Sequence, residues 1–169
     1  MTKANPLPSQ AELDELFSYE PLTGVLRHKK ANARYLGKEA GTIKTTKGYR
    51  VVHINGTNYR AQRVIWMLVY GVDPGEYLVD HKDTDRLNNR LTNLRLANHS
   101  QSNANCRGWS RSGLPKGVRR MKGCKARFEA SITANKVFHY LGSFPTPALA
   151  HEAYCAAAKQ HFGEFWRAA

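Results

Sequence analysis

The chain is poor in the features that stabilise secreted scaffolds. Its 169 residues hold three cysteines, Cys106, Cys124 and Cys155, an odd number with no close pairing. That fits reduced thiols in or near a core, in a reducing compartment, better than a disulfide framework. No Cys-x-x-Cys pair is present, so no structural zinc is expected. No apolar run approaches the ~20 residues of a membrane span, and the first residues lack the charged-then-apolar pattern of a signal segment, so no membrane partner is expected. There is no internal repeat. Acidic residues are missing where basic ones gather: from Arg86 to Phe128 there is no Asp or Glu, against eleven Lys or Arg. With a net charge of +13, such a surface repels itself unless a polyanion neutralises it. What remains is an ordinary globular composition, 41% hydrophobic and 23% charged, long enough for one domain or two small ones.

The first half reads as a helix, a small antiparallel sheet and a second helix. Ser9 can cap a helix through residues 11–17, with Glu12 three residues on as a capping box requires and Leu13, Leu16 and Phe17 on one face. Val25–His28 reads as a first strand, followed by a basic loop over 29–38. Residues 42–44 and 49–54 read as strands joined by a Lys47-Gly48 turn, and Asn55-Gly56 predicts a hairpin returning through 57–59. From Arg60 the period changes. Val64, Ile65, Leu68 and Val69 share a helical face, Gly71 ends it, and Pro74-Gly75 follow. Gln62 cannot act as a base and reads as structural.

The organising stretch is Leu78-Val79-Asp80-His81-Lys82-Asp83, then Asn88-Asn89-Arg90-Leu91-Thr92-Asn93-Leu94-Arg95. Neighbours on a strand point to opposite faces, but at a strand end both can reach one site. A carboxylate can hold a hard divalent cation, and an imidazole can take a proton from water near neutral pH. Leu94 and Leu96 suggest a second ribbon strand beginning beside Asn93, and a helix over 100–105. His99 precedes it as a solvated or capping residue, with a phosphate contact as the alternative.

This stretch resembles the HNH endonuclease family, in its phage and intron homing branch. The resemblance implies a ββα unit clasping one divalent metal, magnesium or manganese. It implies Asp80 as a metal ligand, His81 as the general base and Asn93 as the residue bracing the loop. The family's third position, an Asn nine residues after the middle one, is Ser102 here, with Asn103 beside it. Either the helix register slips and Asn103 serves, or Ser102 binds through water, or the metal site is weakened; Asn103 is favoured. The expected activity is hydrolysis of a DNA phosphodiester bond, by a monomer that nicks one strand, with a dimer or successive nicks as the route to double-strand cutting. A phage member would work in the cytoplasm of its bacterial host. The rivals are a DNA-binding protein that keeps a degenerate nuclease fold and, last, an RNA-binding factor.

Residues 106–116, rich in Gly, Ser and Arg, read as a basic linker that would run along a DNA backbone. From Gly117 three alternating strands and an alanine-rich helix follow, the helix opened by Thr146 with Pro147 at its first position. Lys116-Gly117-Val118-Arg119-Arg120, Tyr140-Leu141-Gly142-Ser143-Phe144 and Ala148–Tyr154 resemble the plant APETALA / ethylene-response-factor DNA-binding domain. Phe128 and Tyr140 stand where that family usually has Trp. The resemblance implies a sheet lying in the major groove of double-stranded DNA. The candidate contacts are Arg107, Arg111, Lys116, Arg119, Arg120, Lys122, Lys125, Arg127 and Lys136. Arg can grip guanine edges and Lys can neutralise phosphate. The fold expected is therefore α+β in two domains, 1–105 and 117–169, joined by a linker at 106–116: a small N-terminal sheet with an HNH nuclease unit, then a three-stranded sheet with one helix.

Overall fold

The computed structural model describes residues 5–44, 48–106, 113–123 and 127–167. Arg107, Arg111, Cys124 and Lys125, with Lys47 of the first expected turn, lie outside the described residues. The chain divides into two compact units, Met1–Ala97 and Asn98–Ala169. It is a mixed α/β protein whose described strands form four small antiparallel sheets.

In the first unit, α1 (Gln10–Leu16) is closed by a complete capping box. The Ser9 hydroxyl accepts from the Glu12 N–H, and the Glu12 carboxylate accepts from the Ser9 N–H. The helix stops one residue sooner than its apolar pattern suggests. Phe17 turns extended and opens β1 (Phe17–Glu20), which pairs with β2 (Val25–His28). The second sheet has the order β3 (Thr42–Lys44), β4 (Tyr49–Ile54), β5 (Thr57–Arg60). Asn55 and Gly56 both have positive φ, 48° and 79°, as a two-residue hairpin turn requires. Helix α2 (Ala61–Tyr70) follows at once and ends on Gly71 in the left-handed region.

Leu13, Phe17, Leu26, Val52, Ile54, Val64, Ile65, Leu68, Val79 and Leu94 form one core. At ~25 cal/mol per Å2 of apolar area removed from water, this burial is the main force holding α1 and α2 against the strands. Gln62 on α2 is also buried, and its Oε1 has no hydrogen-bond partner among the described residues. The last ribbon is β6 (Leu78–His81) paired with β7 (Leu94–Ala97).

The second unit begins with α3 (His99–Asn105), capped by Asn98 with Gln101 in a second capping box, so the helix starts one residue earlier than its sequence suggests and His99 is its first residue. Its sheet has the order β10 (Val137–Phe144), β9 (Phe128–Ala134), β8 (Val118–Arg120). Helix α4 (Pro147–Phe162) is capped by the Thr146 hydroxyl. Ala150, Tyr154, Ala158 and Phe162 form its buried stripe against Val118, Phe128, Ala130 and Ile132. Gly117, at φ 80°, lies so close to Tyr154 that a Cβ there would sit 1.9 Å from the ring. The segment expected as linker is partly built into this unit, since Leu114 is buried in its core. Cys155 is half-buried and Cys106 exposed; the sequence had placed both thiols in or near a core.

Candidate active site

Strand β6 presents its residues alternately. Val79 and His81 are buried, while Asp80 faces the other side, opposite Arg95 of β7. Both Nε and Nη2 of Arg95 stand 3.3 Å from Asp80 Oδ2, and the two side chains are only about 10% exposed. The pairing follows from the ribbon register, which sets Asp80 across from Arg95 and His81 across from Leu94.

His81 is 4% exposed. Its Nε2 lies 2.9 Å from Oδ1 of the buried Asn89. With that oxygen accepting, the ring proton sits on Nε2 and the lone pair on Nδ1. Burial pushes the imidazole pKa below its ordinary value, against the opposing pull of Asn89 and of the Asp83, Asp80 and Asp85 carboxylates. The net effect favours a neutral imidazole, the form that can accept a proton.

The connection between the two strands is held from within. Asn93 Oδ1 accepts from the Asp83 N–H at 3.0 Å, and Asn93 Nδ2 donates to Asp83 Oδ1 at 2.9 Å and to the Asn88 carbonyl at 2.8 Å. Asn88 Nδ2 donates to Asp83 Oδ2 at 2.6 Å. Burial alone would raise the Asp83 pKa. Hydrogen bonds from Asn88, Asn93 and the Asp85 N–H outweigh it and bring the carboxyl below its ordinary value. The loop is also tied to the first sheet: Tyr19 Oη donates to the Asn89 carbonyl at 2.9 Å and Arg90 Nε to the Leu22 carbonyl at 2.7 Å. Gly24 permits that approach, because a Cβ there would come within 2.5 Å of the Arg90 nitrogen.

Residues 59–104 match the HNH endonuclease family model. The HNH segment thus spans Asp80, His81, Asn93, Ser102 and Asn103. The chain is also similar to an uncharacterised HNH endonuclease of Acanthamoeba polyphaga mimivirus, 33% identical over 131 residues, covering 78% of this chain and 63% of the relative. The chain therefore spans less than two thirds of the length of that curated relative. No solved structure matches.

Ser102 and Asn103 lie on α3, in the second unit. Asn103 is exposed and lines a cavity of about 300 Å3 with Ser100, Lys116 and Tyr154. Among the described residues no three His, Cys, Asp or Glu side chains gather as a metal cluster. The donors the HNH segment offers are a carboxylate, an amide and a hydroxyl. All are hard oxygen ligands, the set that suits magnesium or manganese, which keep several waters and need few protein ligands. The donor chemistry fits such an ion, with the Arg95 guanidinium as the group that competes for Asp80.

Three residues of this site carried no role in the sequence reading: Asn89, which fixes the imidazole, Arg95, and Asp83. Arg95 could have been found by pairing the two predicted strands in register. Asn89 could not, because its position depends on how the loop folds back.

In the second unit, Lys116 Nζ donates to the carbonyls of Asn103, Ala104 and Cys106 at 2.6, 3.0 and 3.1 Å. These bonds close the C-terminal end of α3, and burial lowers the ammonium pKa. Arg119, Arg120, Lys122, Arg127 and Lys136 are exposed. Arg119 Nε reaches Glu129 Oε2 at 2.6 Å, and the Arg120 guanidinium lies 5.2 Å from the Phe128 ring centre. Tyr140 and Phe138 are more than half exposed on β10.

Proposed function

We propose that the protein is a metal-dependent DNA endonuclease of the homing or nicking kind, with His81 as general base. The observation that carries this reading is the buried imidazole, fixed by Asn89 and biased toward its neutral form, one residue from the Asp80 carboxylate within a segment matched to HNH endonucleases. His81 would take a proton from the attacking water through Nδ1 while Asn89 holds the ring. Asn93 would keep the loop rigid. Asp80 would hold the metal, joined by Asn103 or Ser102 as the helical ligand, an assignment resting on their place in the sequence after the ribbon. What a bound magnesium or manganese ion supplies is stabilisation of charge at the scissile phosphate and the leaving 3′-oxygen. The second unit, in this reading, is an ethylene-response-factor-like DNA-binding domain. Arg119, Arg120, Lys122, Arg127 and Lys136 face the duplex, and Lys116 serves as a structural clamp.

One observation favours a second reading, a DNA-binding protein without catalysis: Arg95 occupies the carboxylate that a metal needs. Plasmid nicking separates the two. Wild-type protein is expected to nick supercoiled DNA with magnesium or manganese and to stop in EDTA. His81→Ala and Asp80→Ala should retain DNA binding and lose at least a hundredfold in rate, the lower range for a general base. Tight binding by wild type without cutting in either metal would favour the second reading.

A further inference from the structure

Beside the candidate site stands a cluster that the HNH reading does not use. Tyr49 begins β4, and its ring centre lies 6.1 Å from that of His81. Two guanidinium groups rest on the tyrosine. The Arg60 carbon is 4.4 Å from its ring centre and the Arg86 carbon 5.0 Å. Arg60 closes β5, opposite Val51, so it reaches Tyr49 diagonally across the pair. Arg86 comes from the β6–β7 loop, and its Cδ lies 3.9 Å from where a Cβ on Gly48 would stand. Both arginines are exposed, and Arg60 forms no ion pair among the described residues.

We infer that Arg60 and Arg86, stacked on Tyr49, form a phosphate clamp that holds the DNA backbone against His81. The inference rests on the nuclease reading and adds a substrate-binding element contributed by the N-terminal sheet. Stacking engages the flat face of a guanidinium and leaves its N–H edge in plane, where it matches two phosphate oxygens. The ring also limits rotamer freedom before any ligand arrives, so less entropy is lost on binding. There is an electrostatic reason for a clamp here. Asp83 and Asp85, unlike Asp80, which Arg95 already pairs, bring negative charge to the His81 imidazole and would repel a polyanion from it. Two cations one ring away offset that repulsion where a phosphate must approach.

The test uses the full chain and a duplex containing the site it protects in footprinting. Arg60→Gln and Arg86→Gln remove charge and keep side-chain length, Arg→Lys at each position restores charge without the planar fork, and Lys30→Gln is a charge-matched control on the same unit. Equilibrium binding is measured in EDTA against salt, and kcat and KM with the metal. Each Gln variant should lower the slope of log affinity against log salt by about one, as expected for one lost phosphate contact. It should raise KM about tenfold while kcat falls less. Lys should restore the slope and only part of KM, and Lys30→Gln should leave both unchanged. Gln variants with the wild-type slope and KM would overturn the clamp, as would an equal drop from Lys30→Gln. If wild type binds DNA and does not cut, the nuclease reading falls, and the EDTA salt slopes still decide the clamp. Thermal melting identifies any variant that fails to fold, and the Lys variants then carry the comparison.

Discussion

At the scale of single residues, Asn93 ties the β6–β7 loop through both ends of its amide. Replacing it by alanine leaves the Asp83 N–H and the Asn88 carbonyl without their partner and removes a donor from the Asp83 carboxylate. A partly buried group left unsatisfied costs roughly 1–3 kcal/mol, so Asn93→Ala is expected to lower unfolding free energy by about 2 kcal/mol in urea denaturation. Asn93→Asp has nearly the same shape, yet it sets a second carboxylate where Nδ2 now stands, 2.9 Å from Asp83. It should destabilise at least as much as alanine at neutral pH. A milder effect from aspartate would show that the donor side of the amide contributes little.

At the scale of elements, the parts legible in the sequence were those whose signals are local. Ser9 with Glu12, Thr146 with Pro147, Asn55-Gly56 and Gly71 each mark a boundary by chemistry within four residues, and each boundary lies where that chemistry puts it. Strand β1 was not legible. Phe17 continues the apolar face of α1, and only pairing with Val25–His28 turns it extended. The candidate site divides in the same way. Asp80 and His81 stand out as neighbours of distinctive chemistry. Their partners Arg95 and Asn89 are set by register and by loop closure, which act at a distance along the chain.

Helix α4 offers a test of an element in its packed setting. Burial, with a smaller push from Cys155, raises the Tyr154 hydroxyl pKa from 10 to about 12. The fold thus favours the protonated hydroxyl. That contribution is complete below pH 10 and is lost as pH rises through the window to about 12. Wild type should lose thermal stability across that window more steeply than Tyr154→Phe, and equal slopes in the two proteins would refute this assignment.

At the scale of the whole molecule, basic charge is distributed by role. Arg60 and Arg86 rest on an aromatic ring beside His81, Arg95 is paired, and Arg119, Arg120, Lys122, Arg127 and Lys136 stand exposed on the second unit. A net charge of +13 is therefore a poor guide to how many cations a polyanion would meet, since several of them already serve the fold. Lys116 is the clearest case, with three carbonyls around one ammonium.

That ammonium has an evolutionary corollary. By bonding the backbone at 103, 104 and 106, it pins both ends of the stretch running from Cys106 to Lys116, so the number of residues in between can drift without loosening either anchor. Doubling the length of a loop whose two ends are held adds only about 0.6 kcal/mol of closure entropy. A glycine-serine insertion after Gly113 that doubles the stretch should lower the melting temperature by only a few degrees, whereas in a Lys116→Met background, with the pin gone, the starting stability should already be lower. Lineages carrying this arrangement can therefore change the length of the stretch after Cys106 at little cost to the anchors that hold it.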